Sequence, residues 1–136
     1  MTKKQIAATL AEHAKWLLGV GGTRANLTNA ELACAIPVIP NIDAAILAAI
    51  EAPGNALDMR HWHTCGTTHC RAGWAIVLAG AAGAKLEYAI GSSAAGALIY
   101  AVSRPDQPVP DFYASDWVAL ADLRAGAAAQ IKETTI

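Results

Sequence analysis

The chain is poor in the residues that build sheets, with a single Phe, three Tyr and little Val. A sheet-dominated core needs β-branched and aromatic side chains, so an all-β fold is excluded. It also lacks charge of one sign. Ten Lys and Arg stand against eleven Asp and Glu, for a net charge of −1, with no basic run. The electrostatic attraction that dominates nucleic-acid affinity is therefore missing, and a nucleic-acid partner is not expected. No apolar stretch reaches membrane length. The longest uncharged apolar run lies between Arg71 and Lys85, well short of the ~20 residues of a spanning helix. The basic start Met1-Thr2-Lys3-Lys4 has no continuous apolar segment behind it, because Glu12, His13 and Lys15 intervene, so no secretory signal is expected. Three cysteines, an odd number, without an export signal point to a reducing, cytoplasmic setting.

What is present is alanine, the commonest residue in the chain and the best intrinsic helix former. A length of 136 residues suits one domain, large enough to bury roughly two-thirds of its unfolded surface. These features predict an all-α fold: one compact domain, 1–136, of five or six helices. Thr2 caps a first helix carrying Ile6, Leu10, Leu17 and Leu18, which Gly19 stops. Pro37-Val38-Ile39-Pro40 is extended. Asn41 caps a helix from Ile42 to Ala52 with Ile42, Ile46, Leu47 and Ile50 on its apolar face. Ser92 or Ser93 caps a helix through Ser103, in which Gly96 and Ala97 permit close approach. Arg104 to Asp111, with three prolines, is a semi-rigid loop anchored by Phe112 and Tyr113. Ser115 or Asp116 caps a last helix to about Lys132, with Trp117, Leu120, Leu123 and Ala127 on one face. The Ala- and Gly-rich helix faces suggest a homo-oligomer, a dimer in the simplest case.

Ala25-Asn26-Leu27 and Ala30-Glu31-Leu32 recur five residues apart. The stretch resembles the A-(D/N)-L-x-x period of pentapeptide-repeat proteins, which implies a square β-helical coil. The third repeat would put Pro37 where Leu belongs. A turn with a short helix, Leu27 and Leu32 in the core and Cys34 as a small buried hydrophobe, is the other reading.

The chain is organised around residues 61–80. Three of the four histidines, two of the three cysteines and two of the four tryptophans fall there. Thr67 or Thr68 is placed to cap a helix over 69–82, apolar on every side and so buried all round. Gly73 inside it points to a close backbone neighbour. Cys65-Gly66-Thr67-Thr68-His69-Cys70-Arg71-Ala72-Gly73-Trp74-Ala75 resembles the C-G-T-x-x-C-x-A-G-W-A signature of small uncharacterised bacterial and phage proteins. Trp62 matches as well, while His69 stands where a small residue is usual. That resemblance implies a bacterial or phage source and no particular activity.

The polar loop makes His61, Trp62, His63, Cys65, Thr67, Thr68, His69, Cys70 and Arg71 the candidate binding residues. Three chemistries are open to it. Zinc is the one cofactor it admits, through His61, His63, Cys65 and Cys70, although H-x-H-x-C-x3-H-C is not a standard zinc spacing. Cys70, expected in a first helical turn beside Arg71, is a candidate thiol nucleophile with His63 or His61 as base. No histidine follows His69 to serve instead. A Cys65–Cys70 disulfide fits the spacing but not a reducing compartment. Against these stands a tight, purely structural loop in which Cys65 and Cys70 are packed thiols, Thr67 and Thr68 cap the helix and the histidines bond backbone carbonyls. Without a coherent catalytic set, a non-enzymatic binding protein is the expected function, its ligand or protein partner open. A small zinc protein and a thiol enzyme are the alternatives.

Overall fold

The structure, a computed structural model, describes residues 2–26 and 36–134. The pentapeptide-like stretch, with Cys34, falls almost wholly outside the described residues. The chain divides into two compact units, Met1–Ala35 and Ile36–Ile136.

The first unit holds α1 (Lys3–Leu17), closed at its start by a capping box. Gln5 N–H donates to the Thr2 hydroxyl at 3.2 Å and Thr2 N–H donates to the Gln5 side chain at 2.7 Å. Two orphan amides of the first turn are thereby satisfied, as the sequence predicted for Thr2.

The second unit runs α2 (Ile42–Glu51), β1 (Ala56–Leu57), β2 (His63–Cys65), β3 (Thr68–His69), α3 (Arg71–Leu78), α4 (Gly80–Ile90), α5 (Ser92–Ser103) and α6 (Asp116–Thr134). The fold is mostly helical. It is not purely all-α, because the 56–69 segment makes a three-stranded sheet in the order β1-β3-β2. β1 and β3 are parallel, with Ala56 opposite Thr68 and Leu57 opposite His69. β2 and β3 are antiparallel, with an irregularity between His63 and Cys65. Among the described residues, no helix is long and apolar enough to cross a membrane.

The sheet moves the expected helix start. Thr68 and His69 are held by β1, so Cys70 becomes the cap in place of the threonines: Gly73 N–H donates to Cys70 Sγ at 3.3 Å. The single helix expected over 69–82 is two. Gly80, at φ +65°, turns the chain between α3 and α4, a conformation that costs glycine little. Only the first part is buried all round. Arg71 to Ile76 are buried, while Val77, Leu78, Ala81 and Ala82 are exposed.

Other caps differ too. Asn41 sits at the start of α2 in a left-handed conformation and makes no side-chain cap. The Gln130 side-chain carbonyl, from α6, accepts from Ala44 N–H at 3.1 Å instead. Ser92 does not cap α5; Gly91 holds that position and the Ser92 hydroxyl donates to Glu87. Ser115 does cap α6, accepting from Val118 N–H at 3.3 Å. The buried face of α6 is Ala119, Leu123 and Ala127, and Trp117 points outward.

The core is Ile42 and Ile46 of α2, Trp74 and Ile76 of α3, Ile99 and Tyr100 of α5, Phe112 and Leu123. Through it runs a charged network. Asp43, fully buried, accepts at Oδ1 from Arg71 Nη2 (2.8 Å) and the Tyr100 hydroxyl (3.0 Å). Its Oδ2 accepts from Arg104 Nη1 (2.7 Å) and Gln130 Nε2 (3.3 Å). Gly126 leaves the room: a methyl there would overlap the Asp43 carboxylate. Gly96 plays the same part between α3 and α5, where its missing side chain lets Ala72 approach, as expected for that small residue.

Gly73 packs against the Trp62 carbonyl, leaving no room for a methyl. Helix propensity alone would make Gly73→Ala stabilising by about 1 kcal/mol. The contact predicts the opposite sign, a loss of about 1–3 kcal/mol from overpacking against backbone, read by urea unfolding.

Candidate functional site

Residues 58–70 form a compact turn and hairpin organised by Asp58. Its carboxylate accepts from Arg60 N–H (3.0 Å), Arg60 Nε (3.0 Å) and the Thr64 hydroxyl (3.4 Å), and lies 3.4 Å from His61 Nδ1. The Arg60 bonds hold the Asp58 carboxyl well below the usual range, so it stays ionised. Met59 N–H donates to Asp116 at 2.7 Å, which ties the turn to α6. Cys70 N–H is shared between the carbonyls of His61 and Trp62, both at 3.2 Å, and closes the hairpin onto α3.

The candidate residues separate. His61 is exposed, with Asp58 as its side-chain partner among the described residues. Trp62 is half-buried, edge-on to Phe112 and Tyr113. His63 and His69 meet: their Nδ1 atoms are 2.7 Å apart. His63 Nε2 lies 2.8 Å from Glu87 Oε1, which also accepts from the Ser92 hydroxyl at 2.6 Å. His69 is buried, its ring edge-on to Trp74 and its Nε2 3.2 Å from the Gly66 carbonyl. Burial lowers the His69 pKa, and the charge of His63 adds to that. For Glu87 burial works upward, but the Ser92 and His63 bonds outweigh it and leave the carboxyl below its ordinary value.

The two thiols differ. Cys65 is exposed in the turn, its Sγ 3.4 Å from the Thr67 hydroxyl. Hydrogen bonding from Thr67, then Thr68, brings its pKa down to about 7. Cys70 is buried, and that burial pushes its thiol up. The helix-start effect expected for Cys70 is thus overcome by desolvation, and the threonines expected to cap the helix serve Cys65. Both cysteines are free thiols, so the structure contains no Cys65–Cys70 disulfide. The zinc candidates His61, His63, Cys65 and Cys70 do not gather. Among the described residues, no group of three or more His, Cys, Asp or Glu is placed to hold a metal ion.

Arg71 is held by the core. It is buried, with Nε donating to the Tyr100 hydroxyl (2.8 Å), Nη1 to Asp122 (2.5 Å) and Nη2 to Asp43. Burial works to lower its pKa, and Tyr100, Asp122 and Asp43 more than reverse that. A cleft of about 330 Å³ between the proline loop and α6 ends on it and on Arg104.

A groove of about 760 Å³ lies beside the turn, walled by Met59, Arg60, Tyr113 and Trp117. Tyr113 is 80% exposed and Trp117 79%. Sequence reasoning placed Tyr113 and Trp117 in packing roles, passed over Asp58 and Glu87, and read Ser92 as a helix cap. A polar residue 24 positions from its partner, as Glu87 is from His63, leaves no periodic trace. Trp117 did carry a signal, since it falls off the i, i+4 row of Ala119, Leu123 and Ala127.

Compared with family models, curated proteins and solved structures, the chain finds no match.

The thiol environments make a direct prediction. Alkylation by iodoacetamide in the native protein should select Cys65 over Cys70, with a rate midpoint at about pH 7. Thr67→Val should move that midpoint toward the free-thiol value of about 8.5. Mass spectrometry of the labelled peptides reads both; equal labelling of the two thiols would contradict the assignment.

Proposed function

We propose that the protein is a non-enzymatic binding protein of bacterial or phage origin, acting in the cytoplasm, and that it engages a protein partner. The observation that carries this reading is the composition of one face. The groove beside the 58–70 turn is walled by Met, Arg, Tyr and Trp, and its two aromatic rings are largely exposed. Those four residue types are enriched at protein interfaces, with Trp, Tyr and Arg the commonest energetic anchors. Exposing two such rings has a solvation cost, and the core cluster includes Phe112 but neither of them. Asp58 and Asp116 brace the turn that carries Met59 and Arg60, so this wall is preorganised. A second copy of the chain is the simplest partner, in keeping with the small-residue helix faces.

A second reading is favoured by Cys65, an exposed thiol held near pKa 7. It supports thiol chemistry at that residue, and no base is placed against its sulfur among the contacts described.

The test is partner capture by the full-length chain against the Tyr113→Ala/Trp117→Ala variant. Both side chains are exposed, so folding should be nearly unaffected. The double variant should lose at least about tenfold in affinity, the loss of one modest hot spot. Equal capture by the two proteins would contradict the reading. Light scattering reads the self-association arm: a strict monomer at every concentration removes the second copy as partner.

A further inference from the structure

The pair His63–His69 raises a question of proton count. Four ring nitrogens make three contacts: with Glu87 Oε1 at 2.8 Å, with each other at 2.7 Å, and with the Gly66 carbonyl at 3.2 Å. A carbonyl oxygen and an ionised carboxylate only accept. His63 Nε2 must therefore carry a hydrogen for Glu87, and His69 Nε2 one for Gly66. Both Nδ1 atoms would then be bare in two neutral rings, with lone pairs facing each other at hydrogen-bond distance. That arrangement is repulsive, and something positive has to lie between them.

We propose that His63 and His69 form a proton-binding clasp, holding one shared proton between their Nδ1 atoms and fastening the 63–69 hairpin to α4 and α5 through Glu87 and Ser92. The pair then carries three protons on four nitrogens and one positive charge, which the Glu87 carboxylate neutralises. The charge settles on His63, about one-third exposed, because burial disfavours it on His69. Each contact is satisfied only in this state. A metal ion fits the gap less well. Zinc–nitrogen bonds of about 2.0–2.1 Å at a tetrahedral angle need nitrogens roughly 3.3 Å apart, and no third donor joins the pair among the described residues.

Among the described residues, the groups facing the clasp are few. α4 offers Glu87, α5 the Ser92 hydroxyl, and α3 the Trp74 ring. Asp58 of the same turn is taken by Arg60, His61 and Thr64. Glu87 is thus the charge that retains the proton. When the proton leaves, the two Nδ1 lone pairs repel and the more exposed ring, His63, swings into solvent. Glu87 keeps Ser92, and the hairpin loses its link to α4. The hairpin is fastened while the shared proton is present, and the fastening is lost when it leaves.

The experiment is imidazole nitrogen NMR on the full-length chain between about pH 5 and 10. Near neutral pH, His69 should appear as a neutral ring protonated at Nε2 and His63 as an imidazolium. They should lose one proton together, in a single step seen at both rings. Glu87→Gln should move that step to lower pH, while His61→Gln, which leaves the clasp intact, should not move it. Circular dichroism confirms that both variants fold. Separate, independent titration of the two rings in the wild type, or an unchanged step in Glu87→Gln, would overturn the proposal. So would stoichiometric binding of added Zn²⁺ at micromolar concentration with both rings ligated at Nδ1, because the gap would then be a metal seat.

Discussion

One buried carboxylate sets the arrangement of the second unit. Asp43 enters the core from α2 with no exposure and meets a guanidinium from α3, a phenol from α5, the guanidinium of Arg104 just after α5, and an amide from α6. Four helices thereby converge on two oxygens. Removing water from a carboxylate costs several kcal/mol, and the attraction of its partners repays that only with good geometry on every lone pair. The network provides it, and Asp122 completes the donors of Arg71 at the solvent edge. The value of such a cluster lies in register. α2 and α6 have apolar stripes that would tolerate a slide, but Asp43 fits only opposite Gly126 and within reach of Gln130.

Cys70 joins this core to the loop. Its backbone amide closes the hairpin on His61 and Trp62, its sulfur caps α3, and the next residue is Arg71. A thiol in this place is a structural acceptor. The chemically able positions lie on the other side of it: the exposed Cys65, the His63–His69 pair, and the aromatic groove. The division has a physical basis, because Arg71 to Ile76 are buried among the helices while residues 60–67 are exposed or half-buried beside the thin sheet.

Much of the helical plan was legible in the residues. The ends of α1 and α6 follow from Thr2, Gly19 and Ser115, whose capping and breaking chemistry is local; the spans of α2 and α5 were legible too, although neither Asn41 nor Ser92 caps its helix. The close approaches at Gly73 and Gly96 were legible as well. The sheet was not: strands of two or three residues have no period to detect, and β1 and β3 are held in place by the hairpin and by Trp74, whose ring N–H donates to the Ala56 carbonyl. Nor was Asp43, whose only trace is an acid on the apolar stripe of Ile42 and Ile46. Arg71 read as part of a polar loop because its partners lie 28, 29 and 51 positions away. The histidines and cysteines were found as a set, and their separate fates were set by burial.

The central claim is that Arg71 and Asp43 act as one buried unit that holds the helices. A double-mutant cycle with Asp43→Leu and Arg71→Met, followed by urea unfolding, tests it most directly. Each single change should cost about 3–5 kcal/mol, because it strands a buried charge. The double variant should be several kcal/mol more stable than the sum of the two losses implies, since it removes both members of the pair. Single losses below about 1 kcal/mol, or losses that simply add, would contradict it.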